Sequence, residues 1–236
     1  LATTDIADHA LAALRASNIR EVVIMARRGV AQAAYTNSEF LALGDVSGVD
    51  VIVDPAELVL DDATRAALDD GTLDSTIATK IRLAREFSER KAENDNRRIV
   101  FRFLASPLGL TGDGGAVSAV TFTRNEYAEN ATAPAVVPTG DHDSLDASLV
   151  LRAIGYRGLP VTDMPFDEVK GVVPNDGGRV LDAPDGDVRP GLYVTGWIKR
   201  GATGGIGRNR LCGQETAEAV IADFIAGAAE CISPAA

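Results

Sequence analysis

The stretch Arg20-Glu-Val-Val-Ile-Met-Ala26-Arg27-Arg28-Gly29 sets the fold class. Val22 to Ala26 is an unbroken apolar run that stops at two arginines and a glycine, the pattern of a strand buried on both faces of a parallel sheet. In front of it Ile6, Ala7, Ala10, Leu11 and Leu14 recur at three-to-four spacing, which predicts an amphipathic helix over residues 4–16, entered through Thr3 or Thr4 and followed by a turn at Ser17-Asn18. Helix, turn and buried strand together are the unit of a doubly wound α/β domain.

Outward from this stretch the alternation continues. A helix over 38–43 leads through Gly44–Gly48 to a second short buried strand at Val49–Val53, which Asp54-Pro55 closes. Between Leu58 and Glu93 the sequence is helical and strongly charged, and its stripe of Ile77, Ile81, Leu83, Ala84 and Phe87 reads as a partly exposed helical excursion. Arg98–Ser106 then alternates Ile99, Phe101 and Phe103 with Val100, Arg102 and Leu104, and Gly112-Asp-Gly-Gly115 reads as a hairpin turn into 117–124. These strands predict an antiparallel β-meander inserted into the parallel pattern. A Pro/Ala/Thr loop over 131–143 precedes a last buried strand at 148–154, and the turn-dense sequence after Gly158 places a domain boundary there, giving domains 1–158 and 159–236. In the second domain a strand at 191–195 feeds Gly196-Trp197-Ile-Lys-Arg200, the glycine-rich Gly201-Ala-Thr-Gly-Gly-Ile-Gly207, and a helix over 209–228.

Composition narrows the function. The chain has 236 residues and 46% hydrophobic content, enough for a substantial core. Its 34 acidic residues against 23 Lys and Arg give a net charge of -11, which disfavours a partner as negative as nucleic acid. No apolar run approaches the roughly 20 residues of a membrane helix and no signal segment opens the chain, so a cytoplasmic, non-membrane protein is expected. Cys212 and Cys231 form neither a C-x-x-C pair nor a ligand cluster. His9 and His142 are isolated, and His142, within Thr139-Gly-Asp-His-Asp143, reads as part of a solvated turn. No catalytic acid, base or metal ligand is assigned. Because the chain begins at Leu1 rather than Met, it is expected to be processed, excised or clipped.

Arg27 and Arg28 end their strand at the carboxyl edge of the sheet, where ligands of open α/β sheets bind. An NAD site would place an acidic residue there for the ribose 2′-hydroxyl, whereas adjacent arginines attract a 2′-phosphate. The competing reading is a solvated pair at a strand end, and the supporting G-x-G-x-x-G is absent. Gly201–Gly207 has G-x-x-G-G-x-G spacing, compatible with a flexible linker or with a backbone cradle at a helix N-terminus. Glu39, taken alone, is an ordinary surface residue.

In chain order, Thr4-Asp-Ile-Ala-Asp-His-Ala-Leu11, Glu21–Gly29, Gln32-Ala-Ala34, Val100–Pro107, Arg124-Asn-Glu126, Gly155-Tyr-Arg-Gly158 and Gly196-Trp-Ile-Lys-Arg-Gly-Ala-Thr-Gly204 resemble the adrenodoxin-reductase-like ferredoxin–NADP reductases of actinobacterial type. These are flavoproteins with an FAD domain and an inserted NADP domain. The resemblance implies a Rossmann-like NADP-binding domain, FAD and NADP as cofactors, and a ferredoxin-type iron–sulfur protein as partner. It further implies that Arg27 and Arg28 grip the 2′-phosphate, that Glu39 contacts the same cofactor, and that Trp197, Gly204, Gly205 and Ile206 lie against the flavin, with Gly204 near the nicotinamide. The implied reaction is hydride transfer from NADPH C4 to flavin N5, followed by single-electron steps to the iron–sulfur protein.

Such reductases open with a strand and a G-x-G-x-x-G turn that this sequence lacks, so it is expected to be the later portion, missing the N-terminal FAD-binding segment and inactive without it. Residues 126–143 form a longer polar loop than the family's pattern. Arg82, Arg85, Arg90, Lys91, Arg97 and Arg98 could steer an acidic ferredoxin, or belong to a salt-bridged helix face with Glu86, Glu89, Glu93 and Asp95. Two other readings stand beside this one: an NADPH-dependent flavoprotein subunit of glutamate-synthase type, and a non-catalytic nucleotide-binding fragment.

Overall fold

A computed structural model describes residues 1–93, 95–129, 133–204 and 206–228. The chain divides into two units, Leu1–Val150 and Leu151–Ala236. The first is mixed α/β, with one parallel and one antiparallel sheet.

The parallel sheet has the order β1 (Glu21–Met25), β3 (Arg97–Arg102), β2 (Val49–Val53), with Val22 opposite Ile99 and Ile52 opposite Val100. Its central strand is thus part of the stretch expected to open the antiparallel meander. A parallel pairing needs a long crossover, and the segment between β2 and β3 supplies one through α3 (Asp62–Asp69) and α4 (Ser75–Glu89). The helical stretch is therefore a crossover rather than an excursion, and it is partly exposed as expected. Ile81, Leu83, Ala84 and Phe87 of α4 are buried, and they pack with Phe40 of α2 (Asn37–Leu43) and with Phe101. Phe40 lies edge-on to both Phe87 and Phe101 at 4.9 Å between ring centroids, a favoured aromatic geometry. Most charges of α4 are on its outer face, where Arg82 pairs with Glu86 one turn on, while Lys80 is buried and donates to the Ala33 carbonyl.

β1 is half-buried on one side rather than buried on both, since Val23 and Met25 are partly covered while Val22 and Ile24 are exposed. The first helix, α1 (Asp8–Arg15), buries no residue. It starts later than the spacing predicts, because the Thr4 hydroxyl donates to the Leu1 carbonyl at 2.7 Å instead of capping the helix.

The antiparallel sheet runs β4 (Ala105–Asp113), β5 (Ala116–Tyr127), β6 (Val136–Asp146), and Gly114 and Gly115 turn the first hairpin at φ 60° and 83°. The loop expected over 131–143 is in large part strand, and His142 lies in β6 opposite Thr123, not in a turn. Gly140, whose φ is 89°, falls where the β5–β6 register shifts between Thr123 and Asn125. A bulge therefore absorbs the glycine that suggested a turn. The buried strand expected at 148–154 does not form: Leu149, Leu151 and Ile154 are exposed and the segment is irregular. An apolar run becomes a buried strand only with a ladder partner, and this one has none among the described residues.

In the second unit β7 (Asn175–Asp176), β8 (Arg179–Leu181) and β9 (Val188–Tyr193) form an antiparallel sheet over Val173, Val180 and Val194. Beyond it are the short α5 (Trp197–Arg200) and the long α6 (Ile206–Ile225). α5 occupies a stretch the sequence leaves unassigned.

Candidate functional site

Arg27 and Arg28 lie just past the carboxyl end of β1, both exposed, and neither forms an ion pair among the described residues. Their backbone is held on every side. The Leu104 N–H donates to the Arg28 carbonyl at 3.3 Å, and the Asn125 side chain donates to the Arg27 carbonyl at 2.9 Å. The Gly29 N–H donates to the Tyr127 hydroxyl at 3.2 Å, and that hydroxyl donates in turn to Gln32 Oε1 at 2.7 Å. Gln32 Nε2 continues the chain to Asp61 Oδ2 at 3.0 Å, and Asp61 caps α3 through the Thr64 N–H. Burial works against the Asp61 carboxylate, yet the bonds from Thr64 and Gln32 hold its pKa below the usual carboxylate value.

Two local features make this loop possible. A Cβ on Gly29 would lie 2.2 Å from the Tyr127 hydroxyl oxygen and 3.0 Å from the Val59 carbonyl, so the position requires glycine. Leu104, buried at φ 54°, is a strained left-handed residue at the crossing from β3 into β4, and its own carbonyl accepts the Asn125 N–H at 2.7 Å. Asn125, Tyr127 and Leu104 escape local sequence reading, because their partners are far away in the chain; the hydroxyl of Tyr127 meets Gly29 across 98 positions. Of the motifs that carry the family resemblance, Arg124-Asn-Glu126 contains Asn125 and Val100–Pro107 contains Leu104, while Tyr127 falls in neither.

Glu39 is at the third position of α2, where it completes a capping box. Its Oε2 accepts the Thr36 N–H at 2.9 Å and the Thr36 hydroxyl at 2.8 Å, and these bonds hold its pKa below the usual value. Its second oxygen has no partner among the described residues. No hydrogen bond links Glu39 to Arg27 or Arg28 there either.

In the second unit Trp197 opens α5 and stacks on Tyr156 at 5.9 Å between centroids, half-exposed. Gly196, Gly201 and Gly204 flank it with φ of 78°, 85° and 75°. The Cys212 thiol, buried beneath, accepts the Gly196 N–H at 3.3 Å. Burial opposes the thiolate there, but the Gly196 N–H, the Thr195 hydroxyl and the charges of Lys199 and Arg200 bring the thiol pKa below its ordinary value. Arg200 braces the glycine-rich turn, donating to the carbonyls of Gly201 and Thr203 and to Asn209. Gly205 and the Ile206 side chain lie outside the described residues, as does Cys231.

Both sets of residues can be tested for fit to their implied groups. The arginine loop offers two free guanidinium groups on a fixed backbone, the donor set for a phosphate dianion. At Gly196 and Gly201 a Cβ would meet nothing within 4 Å, so open space lies beside a left-handed backbone and a half-exposed indole ring. A planar aromatic group fits that surface. Among the described residues no cluster of His, Cys, Asp or Glu could hold a metal ion, and no helix is long and apolar enough to cross a membrane.

The NADPH-ferredoxin reductase FprA of Mycobacterium tuberculosis is 42% identical over 229 residues, which cover 94% of this chain and 46% of that protein. The mitochondrial NADPH:adrenodoxin oxidoreductase of Arabidopsis thaliana is 37% identical over 237 residues, 96% of this chain and 49% of its own length. Over nearly its whole length the chain is similar to about half of each of these reductases. A solved structure of Mycobacterium tuberculosis FprA in complex with NADPH matches it with a TM-score of 0.83 at 39% identity, covering 98% of this chain and 49% of that one. The chain spans about half the length of the curated relatives it matches. No family model matches it.

Proposed function

We propose that this chain is the nicotinamide-nucleotide-binding portion and the flavin-facing loop of an FAD-dependent NADPH–ferredoxin reductase. In this reading residues 1–158 are a Rossmann-like NADP-binding domain carrying an inserted antiparallel meander, and 159–236 are the later part of the FAD-binding domain. The observation that carries the reading is the Arg27–Arg28 pair, exposed and unpaired among the described residues, on a locked backbone at the carboxyl edge of the parallel sheet.

Arg27 and Arg28 bind the 2′-phosphate, and their charge selects NADPH over NADH. The free oxygen of Glu39 accepts a hydroxyl of the same nucleotide. Trp197, with Gly204, Gly205 and Ile206, orients the flavin plane, and the glycine positions let the backbone approach it closely. With the flavin bound, the positive end of α6 (Ile206–Ile225) would favour the negative charge that collects on reduction. The flavin, when bound, accepts hydride from NADPH and releases electrons singly. No residue of this chain has to move a proton. The partner of the whole protein is a ferredoxin-type iron–sulfur protein.

A charge-assisted hydrogen bond contributes about 1.5–3 kcal/mol, so losing one guanidinium should weaken NADP+ binding roughly ten- to hundredfold and leave NAD+ nearly unchanged. Calorimetric titration of the chain and of Arg27→Ala and Arg28→Ala with both nucleotides tests this. Equal loss for the two nucleotides would reject the 2′-phosphate assignment.

A further inference from the structure

We propose that Tyr127 is a positioning residue for nucleotide selectivity: through its hydroxyl it holds the Arg28–Gly29 peptide so that the arginine pair is presented ready-made for a 2′-phosphate. The inference rests on the 2′-phosphate reading above and adds to it the group that makes the pair selective rather than merely charged.

Arginine side chains are long and rotamer-rich, so two exposed guanidinium groups converge on one phosphate cheaply only if the backbone beneath them is already fixed. Arg27 is fixed by Asn125, which donates to its carbonyl at 2.9 Å and also bonds the Ser106 hydroxyl at 2.7 Å. Among the described residues no side chain anchors the Arg28 backbone directly. Its carbonyl takes one backbone bond of 3.3 Å from Leu104, a residue in a strained conformation. The next residue, Gly29, is therefore decisive, and its N–H meets the hydroxyl of Tyr127, the last residue of β5.

The proton inventory at this hydroxyl closes. Its one hydrogen goes to Gln32 Oε1 at 2.7 Å, which leaves its lone pairs for the Gly29 N–H at 3.2 Å. Gln32 uses its amide nitrogen on Asp61, so the chain of bonds ends on a capped helix N-terminus rather than in solvent. Burial pushes the Tyr127 phenol up to about 12, which keeps the donor to Gln32 in place throughout the neutral range. Close approach is built in from the other side as well, since Gly29 has no room for a Cβ beneath this hydroxyl. A tyrosine of the antiparallel sheet thus sets the backbone of a loop of the parallel sheet.

The test is Tyr127→Phe, which keeps the ring and its packing and removes the hydroxyl. NADP+ affinity should fall between about threefold and tenfold, the worth of one part-buried neutral hydrogen bond, while NAD+ affinity stays within about twofold. In an Arg28→Ala background the same change should have no further effect on NADP+, because the group it positions is gone. Thr123→Val, which removes another buried hydroxyl from β5, bonded to the Arg124 carbonyl at 3.1 Å, should leave the NADP+/NAD+ ratio unchanged. An unchanged ratio in Tyr127→Phe, equal weakening of both nucleotides, or the same ratio shift in Thr123→Val would overturn the proposal. If Arg28→Ala loses the NADP+ preference and Tyr127→Phe keeps it, the positioning role fails and the 2′-phosphate reading survives. If the wild-type chain shows no NADP+ preference, or Arg28→Ala retains it, the reading itself fails and the proposal with it.

Discussion

Replacing Glu57 by leucine should unlock the point where the parallel sheet passes into the antiparallel one. Glu57 is 7% exposed, in the short turn Pro55–Glu57 after β2, and its two oxygens are divided between two duties. Oε1 accepts Arg102 Nε at 2.7 Å, with Arg124 Nη1 at 3.7 Å behind it, and Oε2 accepts the Phe103 N–H at 2.9 Å. Leucine satisfies neither. The Phe103 N–H, buried with no other acceptor among the described residues, then costs about 1–3 kcal/mol, and the mostly buried Arg102 guanidinium loses a charge-assisted bond worth about 1.5–3 kcal/mol. Arg124 is half-exposed and its share is discounted to near zero by solvent. The leucine side chain recovers part of this through apolar burial, which leaves a net loss of about 2–4 kcal/mol. For a unit of about 150 residues that lowers the melting temperature by roughly 5–15 °C. Thermal unfolding followed by circular dichroism measures it. Glu57→Gln should fall between the two, because one amide oxygen can serve Phe103 or Arg102 but not both. A leucine variant as stable as the wild type would refute the view that this carboxylate ties the two sheets together.

The other expected outcomes concern the nucleotide loop and the second unit. Gly29→Ala should cost about 1–3 kcal/mol of stability from overpacking against Tyr127 and Val59, and substantially less when combined with Tyr127→Phe, which removes the atom at 2.2 Å; additive melting shifts would show that the two sites do not touch. In the second unit Asp223 accepts the Arg179 guanidinium through both oxygens, at 2.8 Å and 3.0 Å from Nε, and also the Tyr193 hydroxyl at 2.8 Å, and these bonds lower its pKa. A carboxylate whose pKa is lower in the folded state stabilises fully above its unfolded value, about 3.9 for aspartate, and that contribution is lost as the pH falls through the lower folded value. The melting-temperature gap between wild type and Asp223→Asn should therefore be widest near neutrality and close in strong acid; a gap constant from pH 7 to pH 2 would mean that the charge contributes nothing.

How far the fold can be read from the sequence depends on the range of the interactions. β1, β2, α2 and the Gly114–Gly115 hairpin are legible because each is decided by a few neighbouring residues: an apolar run, a short helical stretch before Gly44, two glycines that accept positive φ. The burial of α4 is hard to read because charged residues are interleaved with those that form the core, and Arg97–Arg102 reads into the wrong sheet because strand periodicity does not say whether the partner runs parallel. The stretch at 148–154 has the composition of a buried strand, but burial is supplied by partners, not by composition. At the candidate site the arginines can be picked out from the strand end they terminate. Glu39 is legible as a residue and not as a cap, since its bond to Thr36 needs the helix start to be known. Tyr127 and Asn125 lie beyond local pattern altogether.

These long-range residues change what the arginine loop is physically. Its carbonyls and amide are tied to Leu104, Asn125 and Tyr127, while Phe103, beside Leu104, is tied to Glu57, so the loop and the sheet crossing share one connected set of bonds. A ligand that binds the loop stabilises whatever the loop is bonded to, by an amount fixed by its concentration relative to its dissociation constant. Saturating NADP+ should then slow amide exchange not only at residues 27–29 but also at Phe103 and Asn125, and NAD+, lacking the phosphate, should protect these sites much less. Protection confined to the loop would mean that the bonds across the crossing are too weak to transmit the gain. Protection reaching Phe103 would make the β3–β4 crossing part of the nucleotide site, although it presents no side chain to the nucleotide.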